Sequence, residues 1–187
     1  MKFVQTDIKD VVIVEPTVFA DHRGWFMESF NEAGFQRGLA ALGLPPPPPF
    51  VQDNHSRSHR GVLRGLHYQA QPHPQGKLVR VVSGAAFDVA VDIRQSSGTF
   101  GKWVGVELSA DNRRTLWIPE GFAHGFLALS HDTHFLYKTT DYYAKECEHS
   151  VAWNDAALGI DWPRLDQDYI IADKDAAAPI LAMAALP

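Results

Sequence analysis

Residues 85–94 read AAFDVAVDIR, and their alternation sets the fold class. In an extended chain Phe87, Val89, Val91 and Ile93 fall on one face, and Ala86, Asp88, Ala90, Asp92 and Arg94 on the other. A period of two is the mark of a strand. Its faces admit two readings. In a generic sandwich the apolar face is core and the polar face meets water. Alternatively, the alanines and aspartates line a wet cavity inside a jelly roll. Small residues beside a carboxylate leave room for a ligand, which favours the cavity for Asp88.

The same texture runs from Phe50 to about Ser150. VLRGLHYQ, GKLVRVVSG, GKWVGVELS, RTLWIPEG, AHGFLALS and THFLYKTTDYY are separated by Gly, Pro, Asn, Asp and Ser turns. Short strands with this punctuation predict an antiparallel sandwich or barrel. There is no βαβ alternation and no glycine-rich nucleotide fingerprint, which argues against a Rossmann fold. Upstream, DVVIVEPTVF and GWFMESF read as strands joined by a turn at Asp21–Gly24. NEAGFQRGLAALG suits a short helix capped by Asn31, with Phe35, Leu39 and Leu42 on one face and Gly43 at its end. Gly34 and Gly38 weaken that helix. Pro45 to Pro49 form an extended, stiff run. The Ala-rich tail, DKDAAAPILAMAALP, reads as a closing helical turn. One domain is expected: N-terminal strands and helix over 1–49, a β core over 50–150, and a closing segment over 151–187.

Charge is distributed unevenly. The chain has a formal net charge of −5, yet the 34 positions from Asn54 to Phe87 hold no acidic residue, where about four would be expected. They hold Arg57, Arg60, Arg64, Lys77 and Arg80 with His55, His59, His67 and His73. A segment cleared of carboxylates suits an anion, and histidines move protons near neutral pH. Together they suggest catalysis on a phosphorylated small molecule. The acidic balance argues against nucleic acid as a partner. Cys147 is the only cysteine, so no intrachain disulfide or cysteine-rich metal site is expected. The start lacks a signal-peptide core and no apolar run is long enough for a membrane span, so the cytosol is the expected compartment.

Histidines on a jelly roll raise the question of metal. GLHYQ offers His67 without the His-x-His of a metal-binding cupin, and PEGFAH supplies the second cupin motif in part, with His124. Two ligands fall short of the three or four a metal needs.

In order, FADHRGWFMESFN, FVQDNHS, GVLRGLHYQ, QGKLVRVV, AFDVAVDIR, TFGKWVGVELS, LWIPEGFAHGF, LYKTTDYY and DKDAAAP resemble the dTDP-4-dehydrorhamnose 3,5-epimerase family, from about Asp10 to Pro179. The resemblance implies a metal-free, cupin-like jelly roll with a few short peripheral helices, usually dimeric and without a cofactor. It implies proton abstraction at C5 and C3 of a dTDP-linked 4-keto-6-deoxy sugar, with reprotonation on the opposite face. By the same resemblance His67 is the base, Asp175 the carboxylate that orients it, Tyr137 the acid, and Lys77 the cation at the enolate. Arg64 matches a diphosphate ligand, and Tyr143 an aromatic that stacks on thymine. Arg23, Glu28, Gln52, Asp53, Asn54, His124, Glu148 and Lys174 match substrate contacts, with the Arg23–Glu28 segment reaching a neighbouring subunit. Asp88 joins them from its place on the strand.

A regular strand would send Arg64 and His67, three apart, to opposite faces. A bend or bulge at Gly65 would reconcile them. Arg57, Arg60, His59 and His73 match no role and read as loop solvation, while His22 and the proline run depart from the family pattern. Three rivals stand beside the 3,5-epimerase of L-rhamnose synthesis. One is an epimerase acting at C3 or C5 alone for another deoxysugar. The others are a non-catalytic sugar-binding jelly roll and a metal cupin oxygenase.

Overall fold

Pro16 divides what the pattern reads as one N-terminal strand. Having no N–H to give a ladder, it ends β2 (Val12–Glu15), and the chain resumes as β3 (Val18–Asp21) in a different sheet. The computed structural model describes residues 1–187. The first strand, β1 (Lys2–Gln5), pairs with β2, and β3 forms a separate hairpin with β4 (Gly24–Met27), which stops short of Phe30. Helix α1 (Glu32–Ala41) follows, with Asn31 accepting from the Gly34 N–H at 2.8 Å, and Gly43 leaves it at φ +75°. Its Phe35 and Leu39 are buried. Gly38 has a packing reason: a Cβ there would meet the Phe3 ring at 2.1 Å.

Ten more strands complete the fold. They are β5 (Gln52–Ser58), β6 (Val62–Gln69), β7 (Lys77–Ser83), β8 (Ala85–Asp92) and β9 (Trp103–Ser109). After them come β10 (Thr115–Ile118), β11 (Phe122–Ala128), β12 (Thr133–Thr139), β13 (Glu148–Ser150) and β14 (Ile170–Ile171). One sheet runs β1-β2-β10-β7-β12-β5 and the other β13-β6-β11-β8-β9, with β14 parallel to β6 and every other pairing antiparallel. This is the antiparallel sandwich that the strand pattern predicts, in the cupin-like jelly-roll form that the resemblance implies. No helix is long and apolar enough to cross a membrane.

Three apolar clusters hold the layers. Between the sheets lie Val79, Val81, Ala86, Ala90, Leu108, Leu116, Phe126 and Phe135. The outer face of the first sheet packs Val12, Val14, Leu78 and Trp117 against α1. The outer face of the second packs Val89, Val91 and Ile93 against Val151, Leu158, Trp162 and Leu181 of the C-terminal segment. So β8 has no solvent face. Its apolar side is capped by the C-terminal segment, and its Ala86–Asp88–Ala90 side faces the sandwich interior, all three buried.

Apolar periodicity misses β5, since QDNHSRS contains no apolar residue. It is an edge strand paired along its whole length with β12. One face turns half-buried polar groups inward and the other turns Asp53, His55 and Arg57 to water, so neither side needs apolar bulk.

Strands β6 and β11 approach closely at two glycines. A Cβ on Gly65 (φ +119°) would lie 2.5 Å from the Gly125 Cα, and one on Gly125 would lie 2.6 Å from the Arg64 carbonyl oxygen. The register shifts there, between His124 and Phe126. Gly65→Ala is therefore expected to lower stability by about 1–3 kcal/mol, combining an overpacked backbone contact with an unfavourable φ. Urea denaturation of variant and wild type measures it; an unchanged midpoint would refute the packing account.

Candidate active site

The register shift at Gly65 lets β6 present both Arg64 and His67 to one cavity of about 400 Å³ between the sheets. The bend inferred from their spacing exists. His67 Nε2 meets Asp175 Oδ1 at 2.7 Å, while Asp175 Oδ2 accepts the Gly65 N–H at 3.2 Å. Asp175 sits in α2 (Asp173–Ala176), buried against β6. Burial pushes its carboxyl up, but His67, Gly65 and Lys174 outweigh that and hold it below the usual carboxylate range. An ionised acceptor on Nε2 keeps the proton on that nitrogen. Nδ1, which has no protein partner, is then the basic lone pair.

Tyr137 enters from the other sheet, on β12, beside Phe135, which stacks on Phe126 at 4.2 Å. Burial, its largest influence, raises the Tyr137 hydroxyl above the ordinary phenol value, so it keeps its proton at neutral pH. Lys77, at the start of β7, is also buried, and its Nζ donates to the His67 carbonyl at 3.3 Å. Directly across from His67, His124 meets Asp88 Oδ2 through Nε2 at 2.8 Å. Both histidines thus rest on a buried aspartate. No group of three or more His, Cys, Asp or Glu side chains is placed to hold a metal ion.

At the mouth, Tyr143 OH donates to Glu148 at 3.1 Å and Lys174 donates to its other oxygen at 3.4 Å. Gln52 and Asn54 line the same cavity from β5. Four of the expected substrate contacts are not brought to it within the chain. Asp53 lies on the opposite face of β5 from Asn54 and pairs with Lys138, as strand alternation requires. Arg23 pairs with Asp21 on the β3–β4 hairpin, and Glu28 accepts from Asn31. Asp88 is fully buried behind His124 and does not line the cavity, so its place is to support that ring. Arg57 and Arg60 pair at the surface with Asp132 and Asp166.

A family model described as dTDP-4-dehydrorhamnose 3,5-epimerase matches residues 5–183. The chain is 56% identical to the dTDP-4-dehydrorhamnose 3,5-epimerase of Shigella flexneri, over 94% of this chain and 93% of that protein. It is 54% identical to that of Salmonella typhimurium, over 100% and 98%. A crystal structure of the Legionella pneumophila dTDP-6-deoxy-D-glucose-3,5-epimerase in complex with dTDP-4-keto-L-rhamnose superposes with a TM-score of 0.90 at 52% identity, covering 97% of this chain and 93% of that one. The chain belongs to the dTDP-4-dehydrorhamnose 3,5-epimerase family.

The epimerase cavity includes residues that sequence reasoning left out. Ser56 continues the inward face of β5 at the spacing of Gln52 and Asn54, a signal that was present once β5 is known to be a strand. Gln69 lies two residues beyond His67 on β6, and Gln75 precedes Lys77 in the QGK motif; both line the cavity.

Burial pulls the Lys77 ammonium down to about 8, against the opposing pull of Asp88 and Glu148. In the unfolded epimerase the same group titrates at its ordinary 10.5. Between these values the unfolded chain binds the extra proton, so Lys77 makes stability rise with pH across that window. The rise is on the order of 3 kcal/mol, and below pH 8 the buried charge is a standing cost. Denaturation across pH 7–10.5, compared with Lys77→Met, reads this contribution: the variant should gain most over wild type at the acid end. A difference independent of pH would show that Lys77 is not desolvated.

Proposed function

We infer that the protein epimerises C3 and C5 of dTDP-4-dehydro-6-deoxy-D-glucose to dTDP-4-dehydro-β-L-rhamnose, in dTDP-L-rhamnose synthesis. The observation that carries this reading is that His67 and Tyr137 enter one cavity from opposite sheets. Inversion next to a ketone needs a base on one face of the carbon and an acid on the other. In this account His67 Nδ1 takes the proton from the carbon beside the C4 ketone, and the electron pair moves onto the C4 oxygen as an enolate. The Lys77 ammonium, desolvated by its burial, stabilises that oxygen. Tyr137 then returns a proton to the opposite face. Imidazolium and phenolate are reset by exchange with solvent, and the cycle repeats at the second carbon. No step uses a cofactor or a metal.

Arg64, with a planar fork suited to phosphate, and Lys174 hold the diphosphate, and Tyr143 stacks on thymine. The Legionella relative, crystallised with dTDP-4-keto-L-rhamnose, supports this assignment of substrate class.

In heavy water with chelator present, NMR should find deuterium at both C3 and C5 with inversion. Label at one carbon would mean a mono-epimerase, and none would refute the epimerase. His67→Asn and Tyr137→Phe should each lower kcat by about 10²–10⁴-fold with little change in dTDP affinity.

We further propose a cytosolic homodimer of single-domain chains. The β3–β4 hairpin supports it: Phe19 and Phe26, directly opposite in register, are 63% and 69% exposed, and Trp25 is 54% exposed. Docking this hairpin on a second copy would cover them and carry Arg23 and Glu28 towards the partner's cavity. Phe19→Ser with Phe26→Ser should shift sedimentation from dimer to monomer and weaken substrate binding. A double variant that sediments as wild type would refute this contact.

A further inference from the structure

His73 has no place in the chemistry above, yet it lies at the centre of the hydrogen bonds around Tyr143. Its Nδ1 meets Asp141 Oδ2 at 3.0 Å, and the other Asp141 oxygen accepts the Tyr142 N–H at 2.7 Å. The His73 carbonyl accepts from Gln69 Nε2 at 2.6 Å, and the same nitrogen donates to the Tyr142 carbonyl at 3.2 Å. Gln69 Oε1 accepts the Ala144 N–H at 2.9 Å. The backbone on both sides of Tyr143 is therefore fixed to one buried amide, whose strand also carries His67.

Tyr143 itself is free to be steered. It is 54% exposed and is held only by its N–H on Gln52 at 3.1 Å and its hydroxyl on Glu148 at 3.1 Å. An exposed aromatic at a cavity mouth binds more tightly when it is ordered beforehand. Gln75 Nε2 adds a tie to the Asp141 carbonyl at 2.8 Å, so the 70–75 loop grips the 140–144 loop from two sides.

We propose that Gln69 and the His73–Asp141 pair form a brace that positions Tyr143, setting affinity for the nucleotide end of the substrate without acting on the reacting carbons. The proposal rests on the reading that Tyr143 stacks on thymine. Gln69, His73 and Asp141 are positioning residues.

The test measures dTDP binding by calorimetry, and kcat and KM by turnover, for His73→Ala, His73→Asn, Asp141→Asn, Gln69→Leu and Tyr143→Ala. His73→Ala should weaken dTDP binding and raise KM by about three- to tenfold, the effect of one partly exposed, charge-assisted hydrogen bond. Its kcat should stay within about twofold, since the transition-state contacts are untouched. His73→Asn, whose amide can donate to Asp141, should recover most of the affinity. In a Tyr143→Ala background His73→Ala should have no further effect. Gln69 is buried, so if Gln69→Leu does not fold, the variants at His73 and Asp141 decide the outcome. If Tyr143→Ala weakens dTDP binding but His73→Ala and Asp141→Asn do not, the brace is refuted alone. If Tyr143→Ala binds dTDP as wild type does, the stacking role fails and the brace's purpose with it. A loss of kcat equal to the loss of affinity in His73→Ala would also overturn the proposal.

Discussion

The Asp175 carboxylate joins the fold to the chemistry. One oxygen accepts from His67, the proposed base, and the other from the Gly65 N–H at the irregularity that orients that strand. The carboxylate arrives from more than a hundred residues downstream, so its position depends on the docking of the C-terminal segment. That docking is apolar: Val151, Leu158, Trp162 and Leu181 bury against the outer face of the second sheet, where each large side chain is worth about 1.5–3 kcal/mol. A surface remote from the cavity therefore fixes the tautomer of a histidine inside it. Without Asp175 both the Gly65 N–H and the His67 ring would lose their partner, in a place where water replaces neither easily.

Three further shifts in the site have a single leading cause. Burial pulls Lys77 down, pushes Tyr137 up and pushes Asp88 up. Because the same dry environment acts on all three, their roles are coupled. In the proposed mechanism a lysine with a lowered pKa responds strongly to a developing enolate, and a tyrosine that holds its proton keeps an acid available. Asp88 meets His124 through one oxygen, while its other oxygen, also buried, has no hydrogen-bond partner. Lys77 and His124 pull its carboxyl the other way, but burial outweighs them. Arranged charge of this kind needs no reorganisation when charge moves in the substrate.

The alternation of AAFDVAVDIR and its punctuated neighbours made the jelly roll legible, because in β8 one side is apolar and the other is small or acidic. The same rule failed for β5, where an edge strand between a polar cavity and water has no apolar face to betray it. It failed again at Pro16, where alternation continues in the letters but the ladder cannot. In the site, spacing exposed the Arg64–His67 conflict and Gly65 offered its resolution. Asp175 and Tyr137 are reached only through the resemblance, since nothing local distinguishes an acid near a chain end or a tyrosine in a strand. Resemblance implies Asp53 as a substrate contact, and alternation along β5 turns it away from the cavity. His73 read as solvation because its partner is 68 residues away, and a polar contact at that range leaves no periodic trace.

A two-layer sandwich suits a reaction that works on both faces of one carbon. Groups on one sheet meet only one side of anything lying between the layers, so acid and base are separated by architecture rather than by loop placement. Alternation turns Gln52, Asn54, Ser56, Phe135 and Tyr137 inward without special devices. At the cavity β6 departs from the rule, and in the proposed reaction it presents both a phosphate-binding cation and a base. Three residues of strand span about 10 Å, on the scale of a sugar ring with its first phosphate. Placing Arg64 and His67 that far apart on one face calls for one irregularity, and the facing glycines supply it. Any side chain at either position would push β6 from β11, and Arg64 and His67 would move with it. Glycine there is thus a condition of the site's geometry as much as of its packing.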